Sequence, residues 1–519
     1  MRSLLPSAGS IDDASISAQG STSPSRGPGA KWWIARAAVG LSALLLFARL
    51  AHIDWAPFIQ DEPQFLLAAH QQLETGRWAT HSPLVGNDGI RGIRYGPTPL
   101  WFYGVVQAVL GSDAQRAIFV VALTVSLCEL WLILALYRAF PRPSPWALAC
   151  LLAFAAASPF ELFWSRLAWD LFANFVPFAA LALLCSPMLG PARATAFGVL
   201  MGLGFSAHPM IGPLVVIAFV ALAASFVSRP RRGVLVLGLS VVGFLLPNLP
   251  WFAYLIGQPR DNPVGHARRA WSLAAWRWVA TFRPHSSSGF SYFFDHDWSA
   301  FAVQHPWAAS AALQAGSLFL ASAISVLGLV LLVRTAHPGL RRIGAIGLAC
   351  AIVYPLFYAK LRLGPHPHYQ FPLSWLAVAG AAGLLCLEKR WVWPARGAVI
   401  LLTASNLAFD AAWVSFVVER DGTRGIHYGT TIAEQQRFVD ALCARQARDL
   451  AVVNRTAIFE YALHQHFEAN PRCRPHTLKV CPPARCAAVP DDAHVVLLKY
   501  AGPEGGALRQ PLPEFSSSP

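Results

Sequence analysis

The chain is poor in charge. Only 13% of its 519 residues are Asp, Glu, Lys or Arg, against 55% hydrophobic. That balance excludes a single soluble core and fits a polytopic membrane protein, with long apolar runs recurring to about residue 416. Carboxylates are the scarcer sign, 27 against 41 Lys and Arg, for a formal charge of +14. In a soluble protein that excess would raise nucleic-acid binding; here the arginines stand between apolar runs and read as topological anchors, and no nucleic-acid partner is expected. There is no internal repeat, no Gly-rich phosphate loop and no Ser-His-Asp order, so nothing points to nucleotide hydrolysis.

A second closely spaced cysteine pair is also missing. Cys128, Cys150, Cys185, Cys350 and Cys386 lie inside apolar runs and read as small core residues. Cys443, Cys473, Cys481 and Cys486 cluster in the C-terminal tail, where an oxidising compartment allows two disulfides in three pairings. Zinc is the weaker alternative, because Cys481 and Cys486 lack a second close pair.

What is present is a succession of spans. Trp32 to Ala51 is long enough to cross a bilayer at about 1.5 Å per residue and reads as a retained signal anchor. Further spans are expected near 116–137, 145–163, 171–188, 195–208, 211–227, 233–256, 309–333, 343–360, 371–387 and 396–416, about eleven transmembrane helices in all. Residues 1–30, rich in Ser, Gly and Pro, read as a disordered tail, residues 31–416 as the transmembrane domain, and residues 417–519 as a small C-terminal α/β domain. Strand-like runs at 450–453 and 494–498, and a helical segment near 430–446, support the last of these.

Sidedness follows from the basic connections. Arg138 with Arg142, Arg193, Arg229 with Arg231 and Arg232, Arg334 with Arg341 and Arg342, and Lys389 with Arg390 and Arg396 all fall on one side if the N-terminus is cytoplasmic. The agreement makes the short apolar stretch Pro97 to Gly111 an interfacial helix in the first outer loop, and places the C-terminus on the exported, periplasmic side. The opposite face then carries the loops at 52–115, 164–170, 257–308 and 361–370, which hold most of the unusual polar residues.

Asp61 and Glu62 follow the first span by ten residues, and Asp170 closes the run from Ser165 and Arg166, so two loops aim carboxylates at one face. Ionisable groups at membrane depth are expensive and mark function by default. A structural alternative for Asp170 is a pair with Arg166, four residues earlier. No metal site is written in the sequence; Asp61, Glu62 and Asp170 would suit Mg²⁺ or Mn²⁺ should their loops converge, and metal dependence stays open, with no cofactor named.

In order along about residues 30 to 420 stand Asp61-Glu62, Arg94-Tyr95-Gly96-Pro97 leading into Leu100-Trp101-Phe102-Tyr103, Ser165-Arg166 through Asp170, Gly202 through His208-Pro209, and His366-Pro367-His368-Tyr369. This order resembles the membrane glycosyltransferases of the C-type fold, including protein O-mannosyltransferases and the aminoarabinose transferase of lipid A. In the aminoarabinose branch the first motif runs on to Arg-Tyr, whereas Pro63-Gln64-Phe65 follows here. The resemblance implies a sugar donor on a polyprenyl phosphate bound from the outer leaflet, and inverting transfer to a glycan, lipid or protein acceptor. It also implies an integral location in a bacterial-type inner membrane, among membrane lipids.

The chemistry needs a carboxylate to take the acceptor's proton, and Asp61 is the choice for that base, with Glu62 and Asp170 beside it. A phosphate leaving group requires cations and donors rather than a strong acid. Arg94, Arg166, His208 and Tyr95 are the candidates for holding it, with Arg260, Arg268, Arg269 and Arg277 either forming an entrance or touching lipid head groups. His366, His368 and Tyr369 are candidate substrate contacts, against the alternative of a hydrogen-bonded histidine pair; Trp101, Phe102 and Tyr103 fit an interfacial aromatic belt. The rival is a carrier for a lipid-linked sugar or another anion. It is disfavoured because none of the spans from 309 to 416 is expected to carry a charge near its middle.

Overall fold

Apolar runs become helices in this chain because, without water, each backbone N–H and C=O must find its partner inside the segment. A computed structural model of the chain describes residues 30–58, 61–82, 95–141, 143–227, 229–257, 278, 281–294, 297–361, 367–386, 393–423, 428–444, 449–454, 460–481 and 494–498. The expected N-terminal tail and the loop arginines 260, 268, 269 and 277 lie outside them.

In chain order the helices are α1 (Ala30–Phe47), α2 (Asp61–Thr75), α3 (Thr98–Leu110), α4 (Ala114–Ala139), α5 (Pro145–Ala156), α6 (Pro159–Trp164), α7 (Phe175–Leu184), α8 (Pro191–Ala207), α9 (Gly212–Ala224) and α10 (Pro230–Gly257). Short helical segments at Ser291–Phe294, Trp298–Gln304 and Pro306–Ala309 lead into α11 (Ala311–Val333), α12 (Pro338–Leu361), α13 (Trp375–Leu385) and α14 (Trp393–Arg420). Among the described residues six helical stretches are long and apolar enough to cross a membrane: Trp33–Leu50, Ala114–Ala139, Pro230–Gly257, Ala311–Val333, Pro338–Lys360 and Trp393–Arg420. That number makes a multi-pass membrane protein.

The other expected spans are shorter, and most of them are broken. α5 and α6 are separated at Ser158, whose hydroxyl accepts from the Glu161 amide and caps the second piece. α7 is preceded by a 3₁₀ turn, Asp170–Asn174, α9 by the turn Pro209–Ile211, and α13 by the turn Pro367–Leu373. Pro159, Pro209 and Pro372 sit at or beside these breaks, where a missing N–H and a fixed φ disfavour continuous helix. Irregular backbone at such depth is tolerated only where it is buried in protein or lines a cavity. The breaks pack against one another at one end of the bundle. At the other end Arg342 donates to the Leu184 carbonyl and Arg396 to the Leu384 carbonyl, so two of the basic anchors also satisfy the open C-termini of α7 and α13.

Close helix contacts set the packing. Gly328 of α11 lies against Gly380 and Gly383 of α13 so closely that a Cβ at 328 would overlap the Gly380 backbone carbonyl. The amphipathic α3, whose Leu100, Tyr103 and Val106 are buried while Val105 and Val109 are exposed, packs with α2.

Beyond α14 the chain forms α15 (Ile432–Cys443), β1 (Asp449–Asn454), α16 (Glu460–Ala469), β2 (Thr477–Cys481) and β3 (His494–Leu498). The strands form a parallel sheet of order β2-β1-β3, with Val452 opposite both Val480 and Val496. A disulfide joins Cys443 at the end of α15 to Cys473 just after α16. It resolves one of the expected pairings; Cys486 lies outside the described residues. The five cysteines of the apolar runs are free.

Candidate functional site

Asp61 and Glu62 open α2, where the helix dipole favours acids. The described backbone reaches Asp61, and Glu62 is buried. Asp170 opens its 3₁₀ turn directly after Trp169. Arg94 and His366 lie outside the described residues.

Arg166 connects the two acid-bearing loops. Its Nε donates to the Arg49 carbonyl at 3.1 Å and its Nη2 to the Ala51 carbonyl at 3.0 Å, so the turn ending in Asp170 is fastened to the chain that leads to Asp61. The side chain is 7% exposed, and burial pulls its pKa below the usual arginine value, with Tyr428, Asp54 and Asp410 acting the other way. Two backbone carbonyls already occupy this guanidinium, which makes it an anchor before it is a phosphate ligand.

A second connection runs the other way across the bundle. Asn174, at the end of the turn begun by Asp170, donates to Glu161 Oε2 at 2.7 Å and accepts from Ser374 Oγ at 2.9 Å. Ser374 follows the turn that carries His368 and Tyr369, so the Asp170 turn and the histidine turn are joined by side chains that no motif named.

Around these anchors stands a wall of rings. Tyr95 lies 5.1 Å from His208 between ring centroids, His208 lies 5.3 Å from Phe371, Trp169 lies 5.6 Å from His368, and Tyr292 lies 6.4 Å from His368. The backbone behind them is pinned: Tyr103 donates to the Trp169 carbonyl, Tyr354 to the Met210 carbonyl and Tyr358 to the Tyr369 carbonyl, at 2.7, 2.9 and 2.7 Å. Tyr103 is thus a buried anchor rather than part of an interfacial belt. Gly96 lets the Tyr95 turn lie against Ser206, where a Cβ would overlap the serine hydroxyl. His208 Nδ1 accepts from the Met210 amide at 3.1 Å, which places the proton of a neutral ring on Nε2. His208 is thereby suited to donate as a neutral group instead of acting as a cation.

Tyr95, His208, His368, Tyr369 and the backbone at Asp170 are brought together, and Arg166 is drawn into the framework beneath them. Beneath the wall lies a buried ionic cluster that the sequence reading passed over. Arg49 Nη1 meets Glu129 Oε2 at 2.5 Å and Nη2 donates to the Ala155 carbonyl at 2.7 Å. Glu161, Asp410 and His285 lie within the electrostatic reach of Arg49. One oxygen each of Glu129, Glu161 and Asp410, and both ring nitrogens of His285, are buried without a hydrogen-bond partner. Asp410 lies inside α14, which corrects the expectation that the later spans carry no charge near their middle. The signal was available, since a charge inside an apolar span is itself the mark of a special site. Among the described residues no group of three His, Cys, Asp or Glu could hold a metal ion.

No protein-family model matches the chain, and no curated protein matches it. Solved structures do. ArnT from Cupriavidus metallidurans bound to undecaprenyl phosphate is similar over 87% of this chain and 86% of that one, with a TM-score of 0.49 at 14% identity. The oligosaccharyltransferase of Archaeoglobus fulgidus, in complex with Zn and sulfate, is similar over 86% of this chain and 62% of that one, with a TM-score of 0.44 at 12% identity. These neighbours are glycosyltransferases of the C-type fold, the kind that the motif order resembles. At these values the likeness by itself assigns neither family membership nor activity to this chain.

Proposed function

We propose that the chain is a membrane glycosyltransferase that moves a sugar from a polyprenyl-phosphate donor to an acceptor nucleophile at the outer face of the membrane, with inversion. One observation carries the reading: Arg166 fastens the Asp170 turn to the chain entering Asp61 and Glu62, at the end of the bundle where the helices break. Asp61 is the base that takes the acceptor's proton, with Glu62 and Asp170 shaping the charge around it. Arg94 and Tyr95 hold the donor phosphate, and His208 contributes a neutral Nε2–H donor. His366, His368 and Tyr369 face the substrate, and the rings of Trp169 and Tyr292 extend that wall. Because the leaving group is a phosphate, its departure needs donors rather than a strong acid.

The test is transfer of labelled sugar from a panel of synthetic polyprenyl-phosphate sugars by the purified protein in lipid, with crude envelope acceptors. Asp61→Asn is expected to abolish transfer while donor binding persists. Equal turnover in variant and wild type, or no donor consumed, removes the catalytic reading. A second reading, a carrier for a lipid-linked sugar, is favoured by the buried ionisable groups Glu129 and Asp410 inside the spans. Movement of intact donor across the bilayer without cleavage would establish it.

A further inference from the structure

The C-terminal segment grips the chain immediately before Asp61, residue by residue. The Tyr428 hydroxyl donates to the Trp55 carbonyl at 2.5 Å, and the Ile432 amide donates to the Ala56 carbonyl at 3.1 Å. Pro57 forms an antiparallel bridge with Thr431, and Gln435 Nε2 donates to the Phe58 carbonyl at 3.0 Å. Four consecutive residues, Trp55 to Phe58, are therefore each engaged by one turn and the first turn of α15. Asp61 and Glu62 come only three and four residues later.

Gln435 is buried and is itself held. The same Nε2 donates to the Thr430 carbonyl at 3.0 Å, and Oε1 meets His466 Nε2 at 3.2 Å. The His466 ring, carried on α16, also lies against Phe58 at 5.2 Å between centroids. The Cys443–Cys473 disulfide ties α15 to the turn that follows α16, so the two helices presenting Gln435 and His466 are covalently linked. Further contacts broaden the seat: Gln465 Nε2 donates to the Ser112 carbonyl at 2.5 Å, and Gln115 Nε2 donates to Gln436 Oε1 at 2.7 Å. Gln435, His466 and Phe58 are all buried.

We propose that Gln435, backed by His466, is a positioning residue for the Asp61-Glu62 pair, so that the C-terminal segment is a built-in part of the active site rather than a separate appendage. It rests on the glycosyl-transfer reading for what the positioned carboxylates do, and on the contacts above for the positioning. A carboxylate acting as base must stand within hydrogen-bond reach of the proton it takes, and a displacement of about 1 Å costs about a hundredfold in rate. Both donations from Gln435 go to backbone carbonyls, which a carboxylate cannot replace.

The experiment uses the full-length protein in lipid and the isosteric variant Gln435→Glu, read in two ways. With the synthetic polyprenyl-phosphate sugar that wild type consumes, kcat is expected to fall about ten- to a hundredfold while the donor KM stays within about threefold. Amide exchange at residues 53–58 and 61–66 is expected to accelerate while α11 to α14 keep wild-type protection. A kcat within about twofold of wild type, or faster exchange throughout the bundle, overturns the proposal. If wild type consumes no donor at all, the glycosyl-transfer reading has failed and exchange alone decides: acceleration confined to 53–66 supports the positioning role, and unchanged exchange overturns it.

Discussion

Arg166 reaches across to Ala51 and donates to its carbonyl at 3.0 Å, although 115 residues separate the two in sequence. With the Arg49 carbonyl as its second acceptor, the guanidinium spans two points of the chain that leaves α1. Tyr428, Ile432 and Gln435 then hold Trp55, Ala56 and Phe58. The approach to Asp61 is thus fixed twice, once by the bundle and once by the C-terminal segment. Such double fastening suits a group whose position matters more than its affinity.

The substitution Arg166→Lys separates the anchoring role from a phosphate-binding one. A lysine keeps the charge but has no rigid fork to reach both carbonyls. Steady-state kinetics with the lipid-linked donor should show kcat lowered about a hundredfold with donor KM nearly unchanged. A raised KM at constant kcat would instead put Arg166 on the donor phosphate.

The pair of Arg49 and Glu129 is buried on both sides, at 1% and 0% exposure, so removing one partner leaves the other charge stranded. Glu129→Gln and Arg49→Met should each destabilise the protein by about 3–5 kcal/mol, measured by unfolding in detergent. Arg49→Met should be the worse of the two, because Arg49 also faces Glu161 and Asp410. The double variant should cost less than the sum of the singles, as coupled neighbours do.

Much of the bundle is readable from the sequence because apolar runs of sufficient length have few other fates, and α4, α10, α11, α12 and α14 stand near their expected positions. The break at Ser158 is harder to read, since it interrupts the expected span 145–163 where composition stays apolar, whereas the break at His208 falls between the expected spans 195–208 and 211–227. Tyr95 and His208 announced themselves as polar groups beside glycines and prolines. Asn174 and Ser374 did not, because a lone amide and a hydroxyl acquire meaning only once the fold aligns them over 200 residues. The docking of Gln435 on Phe58 left no trace for a further reason. Its acceptor is a backbone carbonyl, which every residue has, so no side-chain pattern reports it.

Acid should loosen this docking through His466. Burial pulls the His466 pKa down to about 4, against an ordinary value of about 6.5 in an unfolded chain. The folded state therefore binds fewer protons than the unfolded one between those values, and the neutral ring contributes stability that is fully present above about pH 6.5. That contribution is lost as pH falls toward 4, at about 1.4 kcal/mol per pH unit, and levels off below it. Because the ring backs Gln435 and touches Phe58, the expected first sign is a fall in amide protection, taken relative to the intrinsic exchange rate at each pH, in the segment Trp55 to Phe58 as pH drops through this window. His466→Gln carries no titrating group, so the variant should lose that part of the pH dependence while the acid response of the surface carboxylates remains. Measured from pH 7 to pH 4, the stability difference between wild type and His466→Gln should change steadily in the variant's favour as pH falls. A difference that stays constant with pH would mean that His466 is not held neutral in the folded protein.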